Sequence, residues 1–237
     1  AKKYFEKLNE DEIQKLIDTV LLGLPGSLEA YSLEQFRNAL SEYNSIGDKE
    51  LRNNLYGFIK EIIPVAEESG VRMAIHPDDP PFPLLGLPRI VSTINDIEKI
   101  LGTIKSDANG ITLCTGSFGA GHFNDCVEIA ERFADKVNFV HLRNVWRNEN
   151  GDFLEENHLE GDVDMYGVIK ALLTEQKRRK ESGRNDFRMP MRPDHGHLMI
   201  PDLNREGIYP GYSLFGRMRG LAELRGLELG ITRSFDL

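Results

Sequence analysis

Cysteine is almost missing from this 237-residue chain, where Cys114 and Cys126 are the whole complement. Two cysteines in a chain of this length exclude a disulfide framework and point to a reducing, cytoplasmic setting. No apolar run approaches the roughly 18 residues that a membrane-spanning helix needs. The opening Ala1-Lys-Lys-Tyr-Phe-Glu lacks the apolar core of a signal peptide. Excess basic charge is missing too. The net charge is −9, which argues against a nucleic-acid surface because phosphate contacts need a basic face. A small anionic substrate stays open, since a local arginine or metal overrides the global balance. There is no low-complexity linker and no internal repeat. What is present, 40% hydrophobic and 28% charged residues, suits one large folded domain or two small ones.

The first seventy residues carry helical spacing. Ile13, Leu16, Ile17, Val20, Leu21 and Leu24 recur on one face, and Pro25-Gly26 stops the pattern. Ser32 with Gln35 forms a capping-box pattern ahead of Phe36 and Leu40. Leu51, Leu55, Phe58, Ile59, Ile62, Ile63 and Ala66 predict a third helix, broken near Gly70.

After Gly70 the period changes. Short apolar runs at Val71 to Ile75, Ile111 to Leu113, Val137 to Leu142, Met189 to Arg192 and Leu227 to Ile231 predict strands. Helices are predicted between them, at about Ile94 to Leu101, Phe123 to Ala134, Val163 to Glu181 and Tyr212 to Leu224. The Met189 run is the weakest, because Pro190 and Pro193 cannot donate ladder hydrogen bonds. Strand–helix alternation is the pattern of a parallel sheet with crossover helices. A closed (β/α)8 barrel takes roughly 250 residues. The expected fold is therefore α/β: a TIM barrel, incomplete here, with about five C-terminal strands. Two regions are expected, a helical segment over 1–70 packed on the barrel and a metal-binding barrel portion over 71–237.

The strand ends carry the chemistry. Val71-Arg-Met-Ala-Ile runs into His76, Ile111-Thr-Leu into Cys114, Val137-Asn-Phe-Val into His141, and Met189-Pro-Met-Arg-Pro into Asp194. In a barrel those C-terminal ends converge on one face, where active sites lie. Imidazole, thiolate and carboxylate are competent donors for Zn²⁺, Fe²⁺ or Mn²⁺. A lone histidine after a strand is usually a hydrogen-bonded structural residue, but four donors at four equivalent positions predict a shared metal. Next to Asp194, His195 is placed to face substrate if the two alternate, with His197 as a supporting neighbour.

Other conspicuous residues have plainer readings. Gly116, Gly119 and Gly121 fit a tight turn better than an anion cradle, because they lack the order of the dinucleotide fingerprint. Asp162 and Asp164 resemble helix caps before Met165. The run Lys177-Arg-Arg-Lys fits a solvated helix end favoured by the helix dipole. Cys126, on an apolar helical face, is a small hydrophobe. His122, His158, Tyr209 and Tyr212 fall in or beside loops and are read as structural when taken singly.

Long ordered motifs then give a specific match. His76-Pro-Asp-Asp-Pro-Pro, Gly86-Leu-Pro-Arg-Ile-Val-Ser, Cys114-Thr-Gly-Ser, His141-Leu-Arg, Gly161-Asp-Val-Asp-Met-Tyr and Arg192-Pro-Asp-His-Gly-His resemble the mannonate dehydratases. Pro210-Gly-Tyr-Ser and Gly220-Leu-Ala-Glu-Leu-Arg-Gly fit as well, and the opening, with Gly23-Leu-Pro-Gly and Ile63-Pro-Val-Ala-Glu-Glu, resembles that family's inserted helical segment. The resemblance implies a xylose-isomerase-like barrel, Mn²⁺ or Fe²⁺ as cofactor, and dehydration of D-mannonate to 2-keto-3-deoxy-D-gluconate in glucuronate catabolism. It implies His76, Cys114, His141 and Asp194 as metal ligands and His195 with Tyr209 as the acid/base pair, in an order the sequence does not set. Family members carry roughly three barrel strands ahead of the point where this chain starts.

Arg89, Arg143 and Arg192 are candidates to hold the substrate carboxylate, against surface or structural ion pairs. The alternatives are a metal-dependent sugar isomerase or epimerase on the same barrel, or an inactive metal-binding partial chain. A homo-oligomer stays open.

Overall fold

The computed structural model describes residues 2–22, 31–208 and 211–237. Two compact units emerge, residues 1–47 and 48–237. The first holds α1 (Lys2–Phe5), α2 (Glu10–Leu22) and α3 (Leu33–Ser41). Ile13, Ile17 and Leu21, one turn apart, are the half-buried positions of α2. The capping box of α3 forms as expected: the Ser32 hydroxyl accepts from the Gln35 backbone N–H, and the Gln35 side chain accepts from the Ser32 N–H. The Pro25-Gly26 stop lies outside the described residues.

The second unit opens with α4 (Asp48–Glu68), the helix predicted from the Leu51 to Ala66 spacing. A parallel sheet follows, built from β1 (Met73–Ile75), β2 (Asn109–Cys114), β3 (Val137–Leu142) and β6 (Met191–Pro193), in spatial order β1-β2-β3-β6. Between these lie α5 (Ile94–Thr103), α6 (Thr115–Gly119), α7 (Cys126–Phe133) and α8 (Met165–Glu181), and α9 (Leu214–Phe235) closes the chain. A two-stranded antiparallel hairpin, β4 (Asn144–Arg147) with β5 (Phe153–Glu156), projects directly after β3.

Four of the five expected strands are present. The fifth, Leu227 to Ile231, is helical. Its period-two apolar pattern misleads because Leu229 is 52% exposed, whereas Gly220, Leu224 and Ile231 are buried at helical spacing in α9. Among the described residues the sheet has four strands and does not close. The proline-bearing strand survives as an edge: Pro190 serves as acceptor to Val140 N–H, and Asp194 N–H, just past Pro193, bonds Leu142 C=O.

The sheet is two-sided. Ile111, Leu113, Val137, Val140 and Leu142 face the helices and pack with Ile97, Ile129, Val168 and Leu172, all at most 5% exposed. Register places the opposite set together. Thr112 pairs with Phe139, Cys114 with His141, and His141 with Arg192, so these residues, with Asp194 two further on, share the other face. The register steps between Ile111 and Thr112, passing over Asn138. That bulge lets Val137 point to the helices and Phe139 to the open side.

Two readings need correction. Within the basic run of α8, Arg179 is not solvated but 1% exposed. It donates to the carbonyls of Ala134, Val137 and Asp186 and to Glu175. Asp164 caps α8 through Gly167 N–H, but Asp162 instead accepts from Arg147 N–H.

Candidate metal centre

Three of the four expected donors meet at the C-terminal edge of the sheet. The ligand atoms of His76, Cys114 and His141 lie within 4.8 Å of one another. The fourth, Asp194, puts Oδ2 3.6 Å from His141 Nδ1. Each side chain is aimed by its surroundings. His76 Nδ1 is 2.7 Å from Pro77 C=O; a carbonyl can only accept, so Nδ1 carries the proton and Nε2 keeps its lone pair. That lone pair faces His141 Nδ1 at 3.1 Å. Two imidazole nitrogens at this distance require a proton or a cation between them. Cys114 is fully buried, and its sulfur accepts from the Ser117 hydroxyl at 3.1 Å. Burial works to raise the Asp194 carboxyl, but His195, His141 and Arg192 outweigh it and hold the group below its ordinary value. A nitrogen–nitrogen–sulfur–oxygen donor set with one carboxylate suits a divalent transition metal.

The remaining candidates divide. His195 stands beside the donors, with Nε2 3.9 Å from Asp194 Oδ2. Its Nδ1 lies 2.8 Å from Glu155 Oε1 and its Nε2 2.9 Å from the Tyr212 hydroxyl. Tyr209 lies outside the described residues. Arg192 bonds Asp194 Oδ1 at 2.6 Å and remains half exposed. Arg89 sits 3.8 Å from Asp78, whose carboxylate also accepts from the Ile90 and Val91 N–H groups. Arg143 is buried and committed to carboxylates of the chain itself: it holds Glu155 through Nε and Nη2, and Asp79 through Nη1. Its stem occupies the space a side chain at Gly116 would need, since a Cβ there would come within 2.2 Å of Arg143 Cδ. That close approach is what the glycine after Cys114 permits.

Glu155 and Tyr212 are the participants that sequence reasoning missed. Glu155 rides on β5, and a signal for that hairpin was available: Asn150-Gly151 between two short apolar-alternating runs, with Gly151 at φ +85°. Tyr212 carried no such signal. Burial raises Glu155, but hydrogen bonds from His195 and Arg143 prevail and lower it below the ordinary carboxylate value. Burial also raises the Tyr212 phenol, with Asp194 adding to the effect.

Two further groups are structural. Cys126 is buried, which pushes its thiol up to about 12. His158 is 4% exposed, with its basicity lowered by burial, and presses on α9 at Gly220, where a Cβ would lie 2.3 Å from the ring. His122 is exposed.

The chain was compared with known proteins. The family model D-mannonate dehydratase (UxuA) matches residues 2–236. A mannonate dehydratase of Chromohalobacter salexigens is 53% identical over 232 residues, 98% of this chain and 59% of the relative. One from Marinomonas sp. is 51% identical over the same shares. The crystal structure of mannonate dehydratase from Streptococcus suis serotype 2 superposes with a TM-score of 0.73 at 35% identity, over 89% of this chain and 57% of that one. The chain thus spans 59% of the length of these curated relatives. With a family model matched from end to end and ordered donors on one sheet edge, the chain belongs to the D-mannonate dehydratase (UxuA) family.

Proposed function

We propose that this chain supplies the metal-binding part of a lyase that dehydrates D-mannonate to 2-keto-3-deoxy-D-gluconate. The observation that carries the reading is the convergence of His76, Cys114, His141 and Asp194 on one sheet face at the strand ends. The parallel strands, helix-covered on one side, are in keeping with part of a (β/α)8 barrel whose chemistry sits at that rim. The two cysteines, both buried free thiols, are in keeping with a cytoplasmic setting. No helix among the described residues is long and apolar enough to cross a membrane.

In the reaction, the C2–H bond breaks, hydroxide leaves C3 and combines with a proton as water, and the resulting enol tautomerises to the ketone. His76, Cys114, His141 and Asp194 would hold Mn²⁺ or Fe²⁺, which supplies Lewis-acid stabilisation of the charge developing beside the substrate carboxylate. The chain's own groups handle the protons. His195, next to Asp194, and Tyr209 form the proposed acid/base pair. Arg192, half exposed with N–H groups to spare, and Arg89 are the proposed partners of the substrate carboxylate. Arg143, by contrast, has its charge answered by Glu155 and Asp79 and acts through Glu155.

The test is an assay of the chain reconstituted with Mn²⁺ or Fe²⁺, with elemental analysis of the same sample. D-mannonate should yield an α-keto acid that reacts with a carbonyl reagent. Bound stoichiometric metal with an epimeric aldonate as product would replace this reading by an epimerase. Bound metal with no turnover would leave a binding module.

A further inference from the structure

We propose that Glu155 is a positioning residue for His195: clamped by Arg143, its carboxylate locks the imidazole in the tautomer protonated on Nδ1 and so reserves the Nε2 lone pair for accepting a proton. This rests on the reading above, in which His195 exchanges a proton with the substrate, and it assigns His195 the part of the base.

The hydrogen-bond directions follow from what each group can do. An ionised carboxylate only accepts, so at 2.8 Å from Glu155 Oε1 the Nδ1 atom of His195 must be the donor. In the neutral ring Nε2 is then bare, and the Tyr212 hydroxyl, 2.9 Å away, donates to it. The chain of donors runs one way, from Tyr212 through His195 to Glu155. It has the logic of a serine–histidine–aspartate triad, in which the acid fixes the tautomer and offsets the charge of the imidazolium. Here a phenol stands in place of the alcohol, and it occupies the Nε2 lone pair until substrate displaces it. When C2–H breaks, the proton goes to Nε2, the electron pair remains on the substrate, and the ring's positive charge faces Glu155.

The device is rigidly built. Glu155 pairs with Val145 across the β4–β5 hairpin, which fixes its backbone. Its two oxygens are held by Arg143 at 2.6 and 2.9 Å, and Arg143, 4% exposed, is seated over Gly116 and tied to Asp79. On the other side, the Tyr212 ring lies 4.9 Å from the His195 ring, and the Arg217 guanidinium sits 4.7 Å over the Tyr212 ring. An arginine committed to an internal glutamate, in a site whose proposed substrate is a carboxylate, is accounted for if that glutamate has a task.

The tautomer can be read directly from the chain carrying ¹⁵N-labelled histidine, metal-free, with the His195 signals assigned by their loss in His195→Gln. The expected result is a protonated Nδ1 and a bare Nε2. Glu155→Gln should shift the ring toward the Nε2–H form, because an amide can donate to Nδ1, while Tyr212→Phe should keep Nδ1–H. In turnover, Glu155→Gln should lower kcat about 100-fold with KM little changed, and Glu155→Asp should recover part of the loss. A protonated Nε2 in the unmodified chain would overturn the proposal even if no variant folds. So would an unaltered ring spectrum in a folded Glu155→Gln. A tautomer that responds as expected in a chain inert toward mannonate would sink the dehydratase reading and leave the positioning role standing.

Discussion

The two ends of the parallel sheet use polar side chains for opposite purposes. At the C-terminal end, the ligand atoms of His76, Cys114 and His141 gather, with Asp194 3.6 Å from His141 and Arg192 as the strong cation on the carboxylate. At the N-terminal end, charges are joined in pairs: Arg179 with Glu175, Arg184 and Arg72 with Asp186, Lys136 with Asp107. The first arrangement is unfavourable unless something positive enters; in the second, the named groups answer one another. Donor atoms brought together without compensation are what a binding site requires, and saturated pairing is what a structural base requires.

Breaking the saturated end should cost the most stability. Arg179→Met removes the donor to three carbonyls and to Glu175, and should destabilise the second unit by about 3–5 kcal/mol in urea unfolding, with metal affinity of the folded fraction unchanged. Breaking the open end should do the reverse. Cys114→Ser should weaken Mn²⁺ or Fe²⁺ binding by about 100-fold, roughly 2.7 kcal/mol, since loss of mere supporting partners already costs 10–100-fold. Metal titration followed by elemental analysis reads it, and undiminished affinity would remove Cys114 from the site. Gly116→Ala tests the link between the rim and the Arg143–Glu155 clamp. The added methyl collides with Arg143 and should cost about 1–3 kcal/mol, with the His195 tautomer disturbed as well. The smallest effect concerns pH. The Arg184 hydrogen bond holds the Asp186 carboxyl at about 2, below its ordinary 3.8. A depressed carboxyl contributes stability that is present above 3.8 and fades as pH falls toward about 2. Asp186→Asn should therefore flatten the stability profile across that window and leave its slope near neutrality unchanged.

Most of the scaffold and the gathering of His76, Cys114 and His141 were legible in the sequence, but not what surrounds them. Period changes located four strands, because a buried parallel strand is a short apolar run ending where the chemistry begins. The same logic failed at Leu227 to Ile231, where alternate leucines also satisfy a helix whose buried face is set by Gly220 and Leu224. It failed again at Lys177 to Lys180, since burial of one arginine in a basic run depends on carbonyls more than forty residues away. Glu155, one of many glutamates, became notable only once the hairpin had brought it to His195 and Arg143. Long-range pairing of ordinary residues leaves no local trace, whereas a histidine or cysteine at a strand end announces itself.

The extra residue at Asn138 gives β3 two independent phases. Below it, Val137 obeys the demands of the helix layer; beyond it, Phe139 and His141 obey the demands of the rim. Asn138 spends its side-chain amide on the carbonyls of Met73 and Asp107, tying the step to neighbouring backbone. A strand with such a joint can gain or lose length on its inner half without rotating its tip, whereas one residue added after Phe139 would carry the imidazole through the sheet to the oily side.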